Sequence, residues 1–71
     1  MEIEYDKDAD AMYIRLRQGE FGRTKEVDAN TLLDLDKNGK LLGIELLDVR
    51  KRLPETLDNV HIKGLHATIT R

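Results

Sequence analysis

The clearest chemical spacing in this chain is a set of oxygen donors near its centre. They are Asp34, Asp36, Asn38 and Glu45, and Gly39 follows the third donor. Oxygen ligands at the first, third, fifth and twelfth loop positions, with glycine at the sixth, are the pattern that binds calcium in an EF-hand. A calcium loop also needs a helix on each side, whereas the residues before Asp34 alternate between apolar and polar. Calcium binding here is therefore an alternative hypothesis, and a β-hairpin is favoured.

Two histidines near the C-terminus form a second candidate metal site. If Lys63 and Gly64 make a turn, His61 and His66 lie opposite each other on neighbouring strands. Two imidazoles can bind zinc or nickel, but a third protein ligand is needed and none is visible nearby. An exposed histidine pair is the more common arrangement. We therefore predict no resident metal and no cofactor. The candidate ligands for the alternative of a bound metal are these histidines and the central oxygen donors.

Two further charged clusters favour structure over chemistry. Asp6, Asp8 and Asp10 begin like a calcium loop, but this loop lacks the central glycine and the final glutamate. Aspartate carboxylates also accept hydrogen bonds from nearby backbone N–H groups, which predicts a turn. The basic residues 50–52 have the charge for a phosphate contact, but three charges without aromatic neighbours are more typical of a solvated surface.

Catalytic residues are not indicated. The chain contains neither cysteine nor serine, so threonine and tyrosine supply its only hydroxyl groups, and no base is evident beside them. Neither a phosphate-binding P-loop nor a G-x-G-x-x-G motif is present. We predict that the protein is not an enzyme.

Composition indicates a single small domain that needs additional stabilisation. A chain of 71 residues without cysteine or tryptophan builds only a marginal hydrophobic core, so self-association as a homodimer is expected. The net charge of −2 does not indicate a nucleic-acid partner, and no apolar run is long enough to span a membrane. The acidic N-terminus is unlike a secretory signal, and a cytoplasmic location is expected.

The element that must position the central donors is a hairpin. Asn38-Gly39 is typical of a two-residue type I′ turn, which needs positive φ at both residues. That turn sets Leu35 opposite Leu42. The further pairs are Lys37 opposite Lys40, Leu33 opposite Ile44 and Thr31 opposite Leu46. Turn chemistry and hydrophobic alternation therefore predict the same register.

Alternation on both sides of this hairpin predicts the other strands. Residues 1–6 and 11–17 form an antiparallel pair in which either Tyr5 opposes Met12 and Glu2 opposes Arg15, or the register moves by two residues. Residues 24–28 are another short strand. We also expect Phe21 to be buried at the edge of the core. Apolar side chains are expected on both faces of the sheet, because Leu32, Leu41 and Leu47 lie on the face that does not carry Leu33 and Ile44.

The predicted fold is mainly β with minor α content. It is a small antiparallel β-meander or roll of about five to six short strands, with one short C-terminal helical turn that ends before Pro54. Residues 1–53 form the core. Residues 54–71 form an arm or hairpin that packs on the sheet or on a partner subunit.

A family resemblance rests on four stretches of the sequence. They are Tyr5-Asp6-x-x-x-Asp10-Ala11-x-Tyr13-Ile14-x-Leu16, Thr24-x-Glu26-Val27, Leu33-Asp34-x-Asp36-x-x-Gly39 and Gly43-Ile44-Glu45-Leu46-Leu47-Asp48. Over residues 1–53 the chain resembles the short prokaryotic family called domain of unknown function 2283. The resemblance implies a compact β-rich domain without an assigned activity or assigned site residues. It also implies, by genomic association, an antitoxin-like role in binding a small neighbour-encoded protein.

The sequence therefore favours a homo-oligomeric protein-interaction module without catalytic activity. A calcium- or transition-metal-binding regulatory domain is the alternative, and an antitoxin-like binder is a further one.

Overall fold

The computed structural model describes residues 1–53. These residues form five strands and one short helix. The elements are β1 (Glu2–Asp6), β2 (Ala11–Arg15), β3 (Phe21–Asp28), β4 (Thr31–Asp36), β5 (Leu41–Leu46) and α1 (Val49–Arg52). The predicted histidine pair and the predicted arm, residues 54–71, lie outside the described residues.

All five strands form one open antiparallel sheet with the order β1-β2-β5-β4-β3. The mainly β fold class with one short helical turn is confirmed. The strands β3, β4 and β5 form a meander, and β2 then pairs with β5 rather than with its sequence neighbour β3. This order is a Greek-key arrangement, which closes the meander against the first hairpin. Beyond the end of β2, the chain still runs alongside β5, because the Leu16 N–H donates to the Leu42 carbonyl at 2.8 Å.

The first hairpin has one of the two predicted registers. Tyr5 pairs with Met12 and Glu2 pairs with Arg15, whose Nε lies 3.2 Å from the Glu2 carboxylate. The predicted aspartate turn is also confirmed. Asp6 Oδ1 accepts the backbone N–H groups of residues 8 and 9 at 2.9 and 3.2 Å.

The central bend differs from the predicted type I′ turn. Among the described residues, positive φ occurs only at Asp10, Asp48 and Gly39, so Asn38 does not adopt it. The Gly39 N–H donates to the Asp36 carbonyl at 3.0 Å, and the Asp36 N–H donates to the Lys40 carbonyl at 2.8 Å. These bonds define a three-residue loop that ends on a left-handed glycine. Two further N–H groups, from Asn38 and Lys40, bond the Asp36 carboxylate and stabilise this loop.

An irregularity in β5 restores the predicted register beyond the bend. Next to the loop, Leu35 pairs with Leu41 instead of Leu42, and the register then shifts between Asp34 and Leu35. Further on, Leu33 pairs with Ile44 as predicted, and Thr31 pairs with Leu46. The longer loop adds one residue to the turn, and the bulge adds one residue to β5. Without the bulge, Ile44 and the apolar residues after it would turn to the other face.

The sheet has one apolar face and one polar face. Cross-strand pairing places Ile3, Ile14, Ile44 and Leu33 in one row on what we call the apolar face. The other side, the polar face, carries a row of Glu2, Arg15, Gly43, Asp34 and Thr24. The buried hydrophobic side chains of the described residues are Met12, Leu35, Leu42 and Val49, and among them Val49 is fully buried.

Two of the predicted side-chain positions are wrong. Phe21 is 56% exposed, because it starts the edge strand β3, whose eight residues are all exposed. Leu41 pairs with Leu35 because of the bulge and therefore does not join Leu32 on the polar face. Leu32 does lie there, paired with Glu45, so the polar face is less apolar than predicted.

Candidate functional site

A polar cluster lies at the centre of the polar face. The Tyr13 side chain leans over Gly43 toward Asp34, and a Cβ atom at Gly43 would overlap the Tyr13 hydroxyl. Thr24 Oγ1 donates to Asp34 Oδ1 at 2.9 Å, and the Arg15 guanidinium lies 5.2 Å from the centre of the Tyr13 ring. The cluster thus connects the four strands β2, β5, β4 and β3, and it depends on the missing side chain at Gly43.

The electrostatics of this cluster favour a structural role. Burial raises the pKa of Tyr13, and the Asp34 carboxylate raises it further. A phenol with a raised pKa stays protonated at neutral pH, so Tyr13 acts as a hydrogen-bond donor rather than as a nucleophile. The Asp34 carboxylate in turn accepts from Thr24. Its contacts join neighbouring strands to one another.

A second cluster, which we call the Asp10 junction, connects the first turn to α1. Asp10 adopts left-handed backbone geometry with φ 53°. Its Oδ1 accepts from the Tyr5 hydroxyl at 2.7 Å and from the Arg50 backbone N–H at 3.0 Å, and the Arg50 Nε lies 3.3 Å away. The Asp10 carbonyl accepts the Val49 N–H at 3.1 Å. These bonds fix the start of α1, whose Val49 side chain is completely buried.

The basic residues of α1 are therefore partly used inside the chain. Besides the contact of Arg50, Arg52 donates from Nε to the Leu47 carbonyl and from Nη2 to the Asn30 carbonyl, both at 3.0 Å. Sequence reasoning assigned this cluster to the solvated surface and missed both roles. A local sequence pattern cannot predict a contact between residues 40 positions apart, such as Asp10 and Arg50.

The candidate calcium ligands lie on a hairpin. Strands, not helices, flank the loop, so the helix–loop–helix context of an EF-hand is absent. Asp36 binds the Arg17 guanidinium and the backbone N–H groups of Asn38 and Lys40. Within residues 1–53, no three His, Asp or Glu side chains are grouped so that they could hold a metal ion. His61 and His66 lie outside this range.

Three aspartates have pKa values lowered by contacts of the folded chain, each named here with its largest cause. They are Asp10 through the Tyr5 hydroxyl, Asp28 through the Asn30 backbone N–H, and Asp36 through the Arg17 guanidinium. In the unfolded chain these carboxyls have pKa values of about 3.9. Since the unfolded state then binds more protons in acid, the three groups stabilise the fold above that pH.

Acidification is therefore expected to destabilise the protein. We expect the melting temperature to be steady from pH 7 to about 5 and to fall progressively below pH 4 as the three carboxylates take up protons. Thermal unfolding followed by circular dichroism across this range measures the effect. A melting temperature that stays constant or rises down to pH 3 would contradict the assigned contacts.

Several large apolar side chains remain exposed around the sheet. Ile3 and Leu16 lie on the apolar face at its β1 side and are 42% and 38% exposed, and the neighbouring Met1 is 76% exposed. We call Met1, Ile3 and Leu16 the edge strip. At the opposite edge of the sheet, Phe21 and Val27 are each 56% exposed on β3. No helix among the described residues is long and apolar enough to cross a membrane.

Fold and clusters together define a small open-sheet β domain with a hydrogen-bonded polar face and an incompletely covered apolar face. Residues 2–50 match the family described as "Protein of unknown function (DUF2283)". The chain belongs to this family, as its sequence signature predicts. No curated protein and no solved structure matches the chain.

The family signature gains a physical explanation from the two clusters. Tyr13, Thr24, Asp34 and Gly43 lie in the stretches on which the family resemblance rests, and they meet in the polar cluster. Tyr5 and Asp10 also belong to it and form the Asp10 junction. These residues hold strands and turns together.

Proposed function

We propose that this protein is a homo-oligomeric interaction module without catalytic activity, and that two copies meet through the edge strip. The observation that carries the proposal is the exposure of Met1, Ile3 and Leu16 beside a single-layer sheet. Apolar side chains grouped on one side of a small domain are typical of association surfaces. A chain of this size, with four buried hydrophobic side chains among its described residues, gains stability from such a contact.

The charges around the edge strip suit a second copy of the same chain. Glu2 and Arg15, at the polar-face side of this edge, and Arg17 lie near Met1 and Leu16, and their charges are already paired within the chain as Glu2–Arg15 and Arg17–Asp36. In a two-fold contact, these internal ion pairs leave no excess of one sign that would repel the same patch of the other copy. A rim of balanced charge is compatible with a homodimer and offers no excess charge to attract a partner of uniform charge.

The acidic residues of β1 on the polar face favour packing of two copies through the apolar face over edge-to-edge pairing of their β1 strands. The strand β1 is an open edge, and its Glu2, Glu4 and Asp6 alternate onto the polar face. Antiparallel pairing of two β1 strands would place these acids across from one another, which is destabilising. The second copy is therefore expected to pack against the edge strip on the apolar face of the sheet.

A double substitution in the edge strip tests this interface. We expect Ile3→Glu with Leu16→Glu to weaken dimerisation at least about tenfold, because two carboxylates of each copy would be desolvated in the contact. Sedimentation velocity over a dilution series measures the dissociation constant. Circular dichroism verifies that the variant is folded.

Val27→Glu is the matched control, because Val27 is exposed to a similar degree but lies on the opposite edge of the sheet. It should leave the dissociation constant unchanged. A wild-type protein that stays monomeric at tens of micromolar would rule out the proposal. Equal weakening by the control would place the interface elsewhere.

The alternatives stay hypotheses. A neighbour-encoded protein is the other possible occupant of the edge strip, and calcium or zinc binding calls for titration calorimetry of the full chain. The absence of cysteine fits a reducing compartment, so we propose a cytoplasmic location.

A further inference from the structure

The geometry points to residues 54–71 of the same chain as the cover of the central apolar face, over strands β2, β5 and β4. This inference is independent of the self-association proposed above, because the edge strip lies outside the area assigned to the segment. Three observations support it. They are the position of α1 at the apolar face, the partial exposure of the central apolar side chains, and the alternation of apolar residues in the segment.

The start of the segment is fixed on the apolar side of the sheet. Tyr5 pairs with Met12 and therefore belongs to the apolar face. Its hydroxyl reaches Asp10, and the same carboxylate accepts the Arg50 N–H at the beginning of α1. At the other end of α1, Arg52 is tied to the Asn30 carbonyl. Leu53, the last described residue, follows this helix and consequently lies next to the apolar face.

Within residues 1–53, no second layer covers the central side chains of this face. Ile14, Ile44, Leu33 and Leu46 lie on three adjacent strands and are only half-buried. A sheet packs its apolar face against a second layer, and α1 is a single turn, too short to cover three strands. A further layer is therefore needed over the middle of the sheet.

The segment has the pattern and the size of that layer. Apolar residues alternate on both sides of Lys63-Gly64; they are Val60, Ile62, Leu65, Ala67 and Ile69. Two strands of about six residues each would cover an area of roughly 20 by 10 Å. Five strands span roughly 24 Å, so such a hairpin covers the centre of the sheet and leaves its edges free.

Attachment to the same chain favours docking in cis. A segment joined by a short linker has an effective concentration in the millimolar range at its own sheet. Only six residues, 54–59, separate Leu53 from Val60, so the linker is short. A second copy at micromolar concentration competes poorly with this arrangement.

Disulfide trapping tests the inference, because the natural chain has no cysteine. One full-length variant combines Ile44→Cys with Ile62→Cys, and the matched control combines Glu45→Cys with Ile62→Cys. Residues 44 and 45 are neighbours that face opposite sides of the sheet. Two further pairs, with Val60→Cys and Leu65→Cys, allow for the exact register. Oxidation at low micromolar concentration is followed by mass spectrometry and non-reducing electrophoresis.

We expect at least one Ile44 pair to close within a single chain about tenfold faster than its Glu45 control. Equal rates for the two faces would overturn the inference. Covalent dimers as the main product would overturn it as well, because the segment would then lie on a second copy. Sedimentation of the same samples reports self-association separately, so the two proposals fail independently.

A second measurement serves if a cysteine variant does not fold. Ile62→Asp should lower the melting temperature by roughly 4–8 °C, whereas Thr68→Asp, on the opposite side of the alternating pattern, should leave it unchanged. Unchanged melting in both variants would contradict docking of the segment.

Discussion

Replacing Gly43 by valine is expected to lower the free energy of unfolding by about 2–4 kcal/mol, through overpacking and a lost polar contact. A side chain at this position would overlap the Tyr13 hydroxyl and lie 2.8 Å from the Ile14 carbonyl oxygen. Tyr13 would have to swing away from Asp34, and β2 would be pushed from β5. Urea unfolding followed by circular dichroism measures the loss.

Two controls separate crowding from the general effect of replacing a glycine. Gly39→Ala introduces a methyl group where no atom lies within 4 Å, so only the cost of its positive φ, about 1–2 kcal/mol, is expected. Combining Gly43→Ala with Tyr13→Ala should recover part of the loss of Gly43→Ala, because the obstructing ring is gone. If Gly43→Val were as stable as the natural protein, the assigned contact between Tyr13 and Gly43 would be wrong.

Replacing Asp10 by alanine is expected to have the second largest effect, a fall in melting temperature on the order of 5–10 °C. The substitution removes the acceptor shared by Tyr5 and the Arg50 N–H. It also leaves an alanine in left-handed geometry, which alanine adopts poorly. Since α1 begins at this contact, loss of the acceptor should also expose Val49. Thermal unfolding and hydrogen exchange at the α1 amides measure both consequences.

Related substitutions at the same turn divide the effect into its parts. Asp10→Asn keeps an oxygen acceptor and tolerates left-handed geometry, so it should lose least. Asp10→Gly relieves the backbone but removes the acceptor, and it should fall between asparagine and alanine. Asp8→Ala is the control, because Asp8 contributes its backbone N–H to this turn. An alanine at position 10 without effect would show that the Asp10 junction does not hold α1 in place.

Local pattern was sufficient for the β1–β2 and β4–β5 pairs and for most strand bounds, although β3 begins at Phe21, three residues before the predicted start. Alternation predicted the β1–β2 pair, and the Asn38-Gly39 bend predicted that Leu33 meets Ile44. The form of the bend was wrong, because the Asp36 carboxylate stabilises a longer loop by accepting two N–H groups. A compensating bulge then preserved the apolar face, which is why the register beyond it was still correct.

The two clusters that explain the family signature were out of reach of the same reasoning. Tyr13 and Asp34 interact across β5 because β2 pairs with that strand, and the alternating pattern is silent on this strand order. For the same reason Gly43 carried no signal of its own as the position over which Tyr13 leans.

By itself, the sequence determined the β-strands, the positions of the turns, the short helix and the family, because hydrophobic alternation and turn chemistry act between near neighbours. Only the tertiary structure decided the Greek-key order, the bulge, the polar cluster and the joining of Asp10 to Arg50. Those features depend on contacts between residues far apart in the chain, whose free energy no short stretch contains.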